Sequence, residues 1–392
     1  MGTRSAVLLL ASTALAVLLL CAGLAPAQES PPPGQGPQEG VIPGRYIVVL
    51  EEGVQDPTAV ARGHARRHGA EVLHTYQHAI KGYAARLPER RLEEVRADKR
   101  VAYVEPDQTA EAVAQTLPWG VNRIDADVSS TRAGNGSGAV WNVNAYVIDS
   151  GIYKHSDLNV VRHVNFRGDG KNYDCYGHGT HVAGTVAARD NTGAVVGAAP
   201  GAPLTGVKVL GCDGSGSHSG IIKGVDWVTA NAKKPAVANM SLGGPTSQAL
   251  DDAVRRSAAG GVFYSLAAGN EEKLACNSSP ARAGAGTNNG IATVAATNKE
   301  DGETSWSNYG SCVDIWAPGV SILSTKKGGG TITLSGTSMA APHVGGGGAL
   351  YLSRNTGASP SAVEGALTSS AKTTANKSKG GATIVREYVG GF

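Results

Sequence analysis

The rhythm of apolar and polar positions changes several times along the chain. Ala6 to Leu20 is an almost unbroken apolar run, with Arg4 ahead of it and Ala25-Pro26-Ala27 behind it. That order of charge, apolar stretch and small-residue cleavage site predicts an export signal over residues 1–27. The run is shorter than the roughly 20 residues that cross a bilayer, so a membrane anchor is not expected. Leu20 precedes Cys21 where lipidation needs a small residue. Residues 28–44 are rich in Pro, Gly, Gln and Glu without any apolar period, which predicts a linker.

A short folded unit follows. Tyr46 to Leu50 reads as a strand, Asp56-Pro57 as the cap of a helix running to about His68, and Glu71 to Tyr76 and Ile80 to Leu87 as two strands. Pro88 opens a second helix, and Val101 to Val104 is a last strand. The order β-α-β-β-α-β predicts a small α+β, ferredoxin-like domain over residues 45–113. Its histidines, His64, His68, His74 and His78, come without a nucleophile cluster and are expected on a solvated surface. The sharper alternative is a switch in which these imidazoles charge together and release the unit at acid pH.

Over residues 114–392 short apolar runs alternate with helical stretches. Ala145 to Ile148, Pro203 to Leu210, Ala236 to Met240, Val262 to Ala267 and Ile291 to Ala295 are buried-strand candidates, and His178 to Ala188 and Gly220 to Asn231 are helices. This alternation predicts a three-layer α/β domain on a mostly parallel sheet, with its site beyond the carboxyl ends of the strands. The 54 glycines against 3 Phe and 3 Met suit many close backbone approaches and loops. A net charge of +3 without a basic, aromatic-rich stripe gives no support for nucleic acid as a partner. Removal of the signal leaves Cys175, Cys212, Cys276 and Cys312. Four cysteines in an exported chain point to disulfides, with three connectivities open, of which the sequential one closes two loops of similar length. Zinc is the alternative, but the spacing lacks a C-x-x-C pair.

Three segments carry the chemistry. Val147-Ile148-Asp149-Ser150-Gly151 ends an apolar run in a carboxylate. Gly177-His178-Gly179-Thr180-His181 and Gly336-Thr337-Ser338-Met339-Ala340 each place a reactive side chain at a helix start. Amide hydrolysis needs a nucleophile, a base that takes its proton and an anion that fixes the base's tautomer. These segments supply one of each, in the order Asp, His, Ser.

On these blocks the chain resembles the subtilisin family, in particular its proteinase K and aqualysin branch, and residues 45–113 resemble that family's inhibitory propeptide. The resemblance implies a secreted serine endopeptidase made as a self-processed zymogen, cut between about Ala110 and Gln115. It implies Asp149, His178 and Ser338 as the triad, His181 as a structural histidine, and Asn270 in Ala267-Ala268-Gly269-Asn270 as oxyanion donor. Gly214-Ser215-Gly216 and Ser241-Leu242-Gly243 would clamp the peptide substrate as an added strand. The first specificity pocket would lie between Leu242-Gly243 and Ala267 to Gly269. Small residues there, with no carboxylate, imply an apolar or aromatic preference.

Catalysis would require no metal, but structural calcium is implied. The loop Arg189 to Gly197 resembles a calcium loop, with side chains of Asp157 and Asn191, carbonyls of Arg189, Gly193 and Val195, and Gln115 as ligands. Asp314, with backbone oxygens near Asn289 and Ile291, is a second candidate. The expected partners are protein and peptide substrates and the chain's own propeptide, acting as chaperone and inhibitor. Neither nucleic acid nor, after signal removal, a membrane is expected, and the protein is expected to be a monomer. Gly345 to Gly348 predict a loosened helix after Ser338 unless close packing compensates. The competing readings are a catalytically inactive binding protein on the same scaffold, and a peptidase inhibitor that would account only for the first unit.

Overall fold

The computed structural model describes residues 41–108 and 115–392, so the export signal, most of the linker and the expected cleavage segment lie outside the described residues. The chain divides into two compact units at residue 111.

The first unit runs β1 (Val41–Leu50), α1 (Pro57–His68), β2 (Glu71–Tyr76), β3 (Gly82–Arg86), α2 (Leu92–Arg96) and β4 (Val101–Gln108). Its antiparallel sheet has the order β2-β3-β1-β4, which is the ferredoxin-like arrangement. Asp56 caps α1 by accepting from the Ala59 amide at 2.9 Å, and Gly69 ends the helix in the left-handed conformation. One expectation fails here: His64 and His68 are buried. They continue the inward face of Val60 and Ala61 at helical spacing, where His64 meets the Tyr83 hydroxyl and Asp98 (3.0 Å) and His68 meets Glu94 (3.1 Å). Burial, the dominant influence, holds His64 below its ordinary pKa despite Asp98. His74 and His78 are exposed.

The second unit begins with α3 (Trp119–Arg123), then β5 (Asn144–Asp149), β6 (Val160–Asn165), α4 (His178–Ala187), β7 (Leu204–Lys208), α5 (His218–Asn231), β8 (Ala236–Met240), α6 (Gln248–Ala259) and β9 (Phe263–Ala267). It continues with β10 (Ile291–Thr297), β11 (Ile315–Pro318), the hairpin β12 (Ile322–Thr325) and β13 (Thr331–Leu334), α7 (Thr337–Arg354), α8 (Pro360–Ser370), β14 (Lys372–Lys377) and β15 (Thr383–Arg386). Nine strands form one sheet in the order β14-β15-β11-β10-β9-β8-β5-β7-β6, parallel except for the β14–β15 pair. Strands β5, β7, β8, β9 and β10 are buried along nearly their whole length, as central strands covered on both faces must be. One apolar cluster packs α4 and α7 on one face, and another packs α5 and α6 on the other. The three-layer α/β expectation therefore holds.

Helix α7 carries Ser338 through the middle of the domain, packed on α4 and on strands β8 to β11. Its four glycines are sites of close contact. A Cβ on Gly345 would fall 2.8 Å from Ser265 Oγ, one on Gly346 would fall 2.6 Å from Ala198 Cβ and 3.0 Å from the Val186 carbonyl, and one on Gly348 would fall 2.7 Å from Phe263. Close packing thus replaces the stability that glycine forfeits as a helix former. Gly346→Ala is expected to destabilise the domain by about 1–3 kcal/mol, because neither the Ala198 methyl nor a backbone carbonyl can rotate away. Thermal unfolding of the inhibited protein checks this, and a Tm equal to or above wild type would contradict it.

The cysteines pair as Cys175–Cys212 and Cys276–Cys312, 37 and 36 residues apart, so no thiolate among these four is left for zinc.

Candidate active site

The carboxyl end of β5 and the start of α4 bring two of the expected residues into contact. Asp149 is the last residue of β5 and fully buried, and His178 is the first residue of α4. Gly177, ahead of it, has φ 115°, a conformation a side chain resists. Gly179 lets the helix approach β5, since a Cβ there would lie 3.1 Å from Asp149 Cβ. His178 Nδ1 then stands 2.8 and 3.0 Å from the two Asp149 oxygens. Because a carboxylate only accepts, Nδ1 carries the proton and Nε2 presents its lone pair.

Asp174, Ser150 and Thr180, to which the sequence assigned no role, hold this junction. Asp174, buried, accepts from the amides of Tyr176 (3.0 Å), Gly177 (2.7 Å) and Thr180 (2.9 Å) and from the hydroxyls of Ser150 (2.9 Å) and Thr180 (2.5 Å). Ser150 Oγ in turn accepts from the Gly179 amide at 2.9 Å. The only signal in the sequence was an Asp just ahead of a helix start. Burial acts most strongly on His178 and disfavours its charged form. The charge and hydrogen bond of Asp149, with the charge of Asp174, outweigh it and raise the pKa above the ordinary histidine value.

Ser338 is the second residue of α7. Pro342 has no N–H to return to the Ser338 carbonyl, which instead accepts from Ser241 Oγ at 2.8 Å. Ser338 Oγ donates to the Ser241 carbonyl at 3.2 Å rather than to His178. Both nonetheless line one cavity of about 440 Å³, together with Asn270. Asn270 Oδ1 accepts from the Thr337 amide (2.8 Å) and hydroxyl (3.0 Å), which fixes the amide with Nδ2 free to donate. Thr337 Oγ1 also accepts from the Gly269 amide at 3.1 Å. His181 lies elsewhere: its Nε2 bonds the carbonyls of Ile322 (3.0 Å) and Ile332 (3.1 Å), and burial takes its pKa down to about 4.

Residues 143–391 match the subtilase family, and residues 45–112 match the peptidase inhibitor I9 family. The chain is 42% identical to an extracellular serine proteinase of Thermus sp. (strain Rt41A), over 90% of this chain and 91% of that one. It is 41% identical to alkaline serine exoprotease A of Vibrio alginolyticus, over 86% of this chain and 66% of that one. The crystal structure of a cold-adapted subtilisin-like serine proteinase superposes with a TM-score of 0.62 at 44% identity, covering 69% of this chain and 97% of that one. The chain belongs to the subtilase family. As a subtilase it is a serine endopeptidase with an I9-type inhibitor segment.

Two further cavities of the subtilase domain meet at the same centre. One, of about 420 Å³, is lined by Gly214, Ser215 and Gly216 on one side and Ser241, Leu242 and Gly243 on the other. The other, about 190 Å³, is lined by Leu242, Gly243, Ala267, Gly269 and Ser338. It corrects one expectation, because Glu271 and Lys273 line it too. They enter because the chain turns back after Asn270 to pair with Asn308. Glu271 Oε2 accepts from Asn308 Nδ2 at 2.8 Å and lies 3.8 Å from Lys273 Nζ, so its charge is partly compensated.

The candidate metal ligands fall into two groups. Asp157, Asn191, Arg189, Gly193 and Val195 gather around one loop. The Ala194 amide donates to Asp157 Oδ2 (2.9 Å), and Gln115 Nε2 donates to the carbonyls of Arg189 (2.8 Å) and Val195 (3.2 Å). Gln115 Oε1 is buried there without a partner among the described residues. Asp314 stands apart, accepting from the Thr293 amide at 2.7 Å. Burial pushes its carboxyl up to about 8, against that hydrogen bond and helped by the charge of Glu364.

Proposed function

We propose that Asp149, His178 and Ser338 form the catalytic triad of a secreted serine endopeptidase, with Asn270 and the Ser338 amide as the oxyanion hole. The observation that carries this reading is the His178–Asp149 pair at 2.8 Å opening into a cavity shared with Ser338 and an Asn270 amide oriented by Thr337. His178 Nε2 takes the Ser338 proton as Oγ attacks the substrate carbonyl. The oxyanion gains the Asn270 hydrogen bond, and His178 then gives the proton to the leaving amine. The acyl-enzyme is hydrolysed by water through the same transfers. Below its raised pKa the imidazolium cannot accept that proton, so the base works on the alkaline side of it.

In this reading residues 1–27 are the export signal, 28–44 a linker, 45–113 an inhibitory propeptide and 114–392 the catalytic domain. The enzyme removes its own propeptide, which also inhibits it until then. Export is supported by the signal pattern at the start of the chain and by the extracellular relative. Gly214 to Gly216 and Ser241 to Gly243 hold the substrate as a strand between them.

The small 190 Å³ pocket takes an apolar or aromatic side chain before the cut, since Glu271 is already engaged by Asn308 and Lys273. Peptide anilides ending in Phe or Leu are expected to be cleaved at least about tenfold faster than an Arg one, one decade being a difference of about 1.4 kcal/mol. A serine-directed sulfonyl fluoride should abolish turnover and label Ser338. Faster cleavage of the Arg substrate would reverse the specificity reading, and label on another residue would reject the nucleophile.

Asp157, Asn191 and Gln115 side chains with the carbonyls of Arg189, Gly193 and Val195 fit a structural calcium ion. Asp157 Oδ1 and Asn191 Oδ1 converge beside Gly193, where a Cβ would lie 1.8 and 2.5 Å from them. A half-turn of the Gln115 amide exchanges Nε2 for the unpartnered Oε1 opposite the Arg189 and Val195 carbonyls, which gives the all-oxygen set a hard cation favours. Asp314, with backbone oxygens near Asn289 and Ile291, is the second candidate, its carboxyl supplying one of the roughly six to eight oxygens that calcium takes. Neither takes part in the chemistry. Excess chelator is expected to shorten the half-life at an inactivating temperature by about tenfold or more relative to millimolar calcium, as binding linkage requires. Equal half-lives would remove both sites.

A further inference from the structure

Of the three cavities lined by His178 or Ser338, two are bounded by the segments that hold the acyl side of the substrate. The third, the 440 Å³ cavity, touches none of Gly214 to Gly216, Ser241 to Gly243 or Ala267 to Gly269. It therefore receives the leaving side of the peptide, next to the imidazole that protonates the leaving amine. Its apolar wall is Ile332, Leu334 and Met339, and its charged wall is Lys326 and Lys327. Among the described residues no acidic side chain lines it.

Both lysines sit in the β12–β13 turn, which is closed by the Lys326 amide on the Gly330 carbonyl (3.0 Å) and the Gly329 amide on the Lys326 carbonyl (3.0 Å). The hairpin is fixed to the catalytic helix. His181 bonds a carbonyl on each side of it, Lys327 Nζ donates to the Cys175 carbonyl at 2.8 Å, and the Lys327 stem would lie 3.6 Å from a Cβ on Gly177. Lys327 is thereby held beside the residue that precedes His178. Lys326 is exposed and makes no ion pair among the described residues. Two like charges on one rigid wall set a positive potential where the leaving peptide runs, because the acids behind the cavity, Asp149 and Asp174, are fully buried and engaged by His178 and by the Tyr176 and Gly177 amides.

We propose that Lys326 and Lys327 make the leaving-side subsite select a carboxylate, either an acidic side chain within the first two residues after the cut or the carboxyl end of a substrate that stops there. The inference rests on the triad reading above and adds the charge preference of its second substrate side.

The test uses internally quenched peptides with Phe before the cut and Glu or Gln as the second residue after it, plus a matched pair ending at that residue as free acid or amide. The mature enzyme is expected to show a kcat/KM ratio of about three to five for the carboxylate member of one or both pairs, carried mainly by KM. The pair that responds names the source of the carboxylate. The ratio should shrink from 0.05 to 0.5 M salt as screening tightens (about 14 Å to 4 Å). It should fall toward one in Lys326→Met, where Lys327 remains, and further in Lys326→Glu, to one or below. Because each ratio is taken within one protein, a loss of folding cannot mimic the result. Ratios of one in both pairs, or ratios that Lys326→Glu leaves unmoved, overturn the proposal. Failure of the wild-type enzyme to cleave any of the four peptides would instead reject the triad reading.

Discussion

Ser338→Ala is expected to accumulate as the unprocessed precursor and to lose about 10⁴- to 10⁶-fold in kcat, the range seen when the nucleophile of a serine triad is removed. The two results have one cause. Propeptide removal in this reading is the enzyme's first turnover, on a bond in its own chain between about Ala110 and Gln115. A protein that cannot form the acyl-enzyme cannot mature. Alanine should not disturb the fold, because the Ser338 backbone carbonyl keeps its bond from Ser241 Oγ and only the 3.2 Å hydroxyl contact is lost. Gel size and amino-terminal sequencing of the secreted product decide the matter. Mature Ser338→Ala protein in a host free of other proteases would exclude self-processing. Normal turnover by the variant would exclude Ser338 as nucleophile.

The sequence carried the elements that are buried on both faces. Ala236–Met240 and the other central strands are mostly apolar runs, broken by single buried polar residues such as Asn239 and Ser265, because helices cover both faces of the sheet, and such runs can be read directly. The edges could not be read in this way. Strand β6, Val160–Asn165, is interrupted by Arg162, His163 and Asn165, and β14, Lys372–Lys377, is mostly polar, since each pairs on one side and meets water on the other. His64 and His68 were misplaced because a histidine states no preference until its partners are known. Asp98 and Glu94 are 34 and 26 residues away in sequence.

The site divides along the same line. Asp149, His178, Asn270 and Ser338 could be proposed because the chemistry limits which residue types can serve. Asp174, Ser150 and Thr337 act only by holding those residues, and a hydrogen bond to a distant amide leaves no pattern in a chain. Glu271 is silent in the sequence for a related reason. Leu242-Gly243 and Ala267 to Gly269 bound the first pocket in the chain, while the return of the chain to Asn308 that adds Glu271 depends on tertiary structure.

The orientation of Asn270 yields the second large effect. Its Oδ1 is occupied twice by Thr337, so Nδ2 is aimed before any substrate arrives. A donor held in this way gains little from a neutral carbonyl and most from the oxyanion that forms after attack. Asn270→Ala is therefore expected to lower kcat by about 10²- to 10³-fold with KM nearly unchanged, the magnitude known for loss of one such donor in subtilisin. Alanine also leaves the Thr337 amide and hydroxyl without their acceptor, which costs about 1–3 kcal/mol of stability and could blur the interpretation. Asn270→Asp separates the two effects. Its carboxylate still accepts from Thr337, so Tm should stay near wild type, but it offers no donor and sets a negative charge against the oxyanion. The Asp variant should then lose at least as much kcat as the Ala variant while remaining the more stable of the two. A fall of less than tenfold in both would mean that the Ser338 amide stabilises the oxyanion without Asn270. A fall that tracked Tm rather than the missing donor would assign Asn270 to the framework alone.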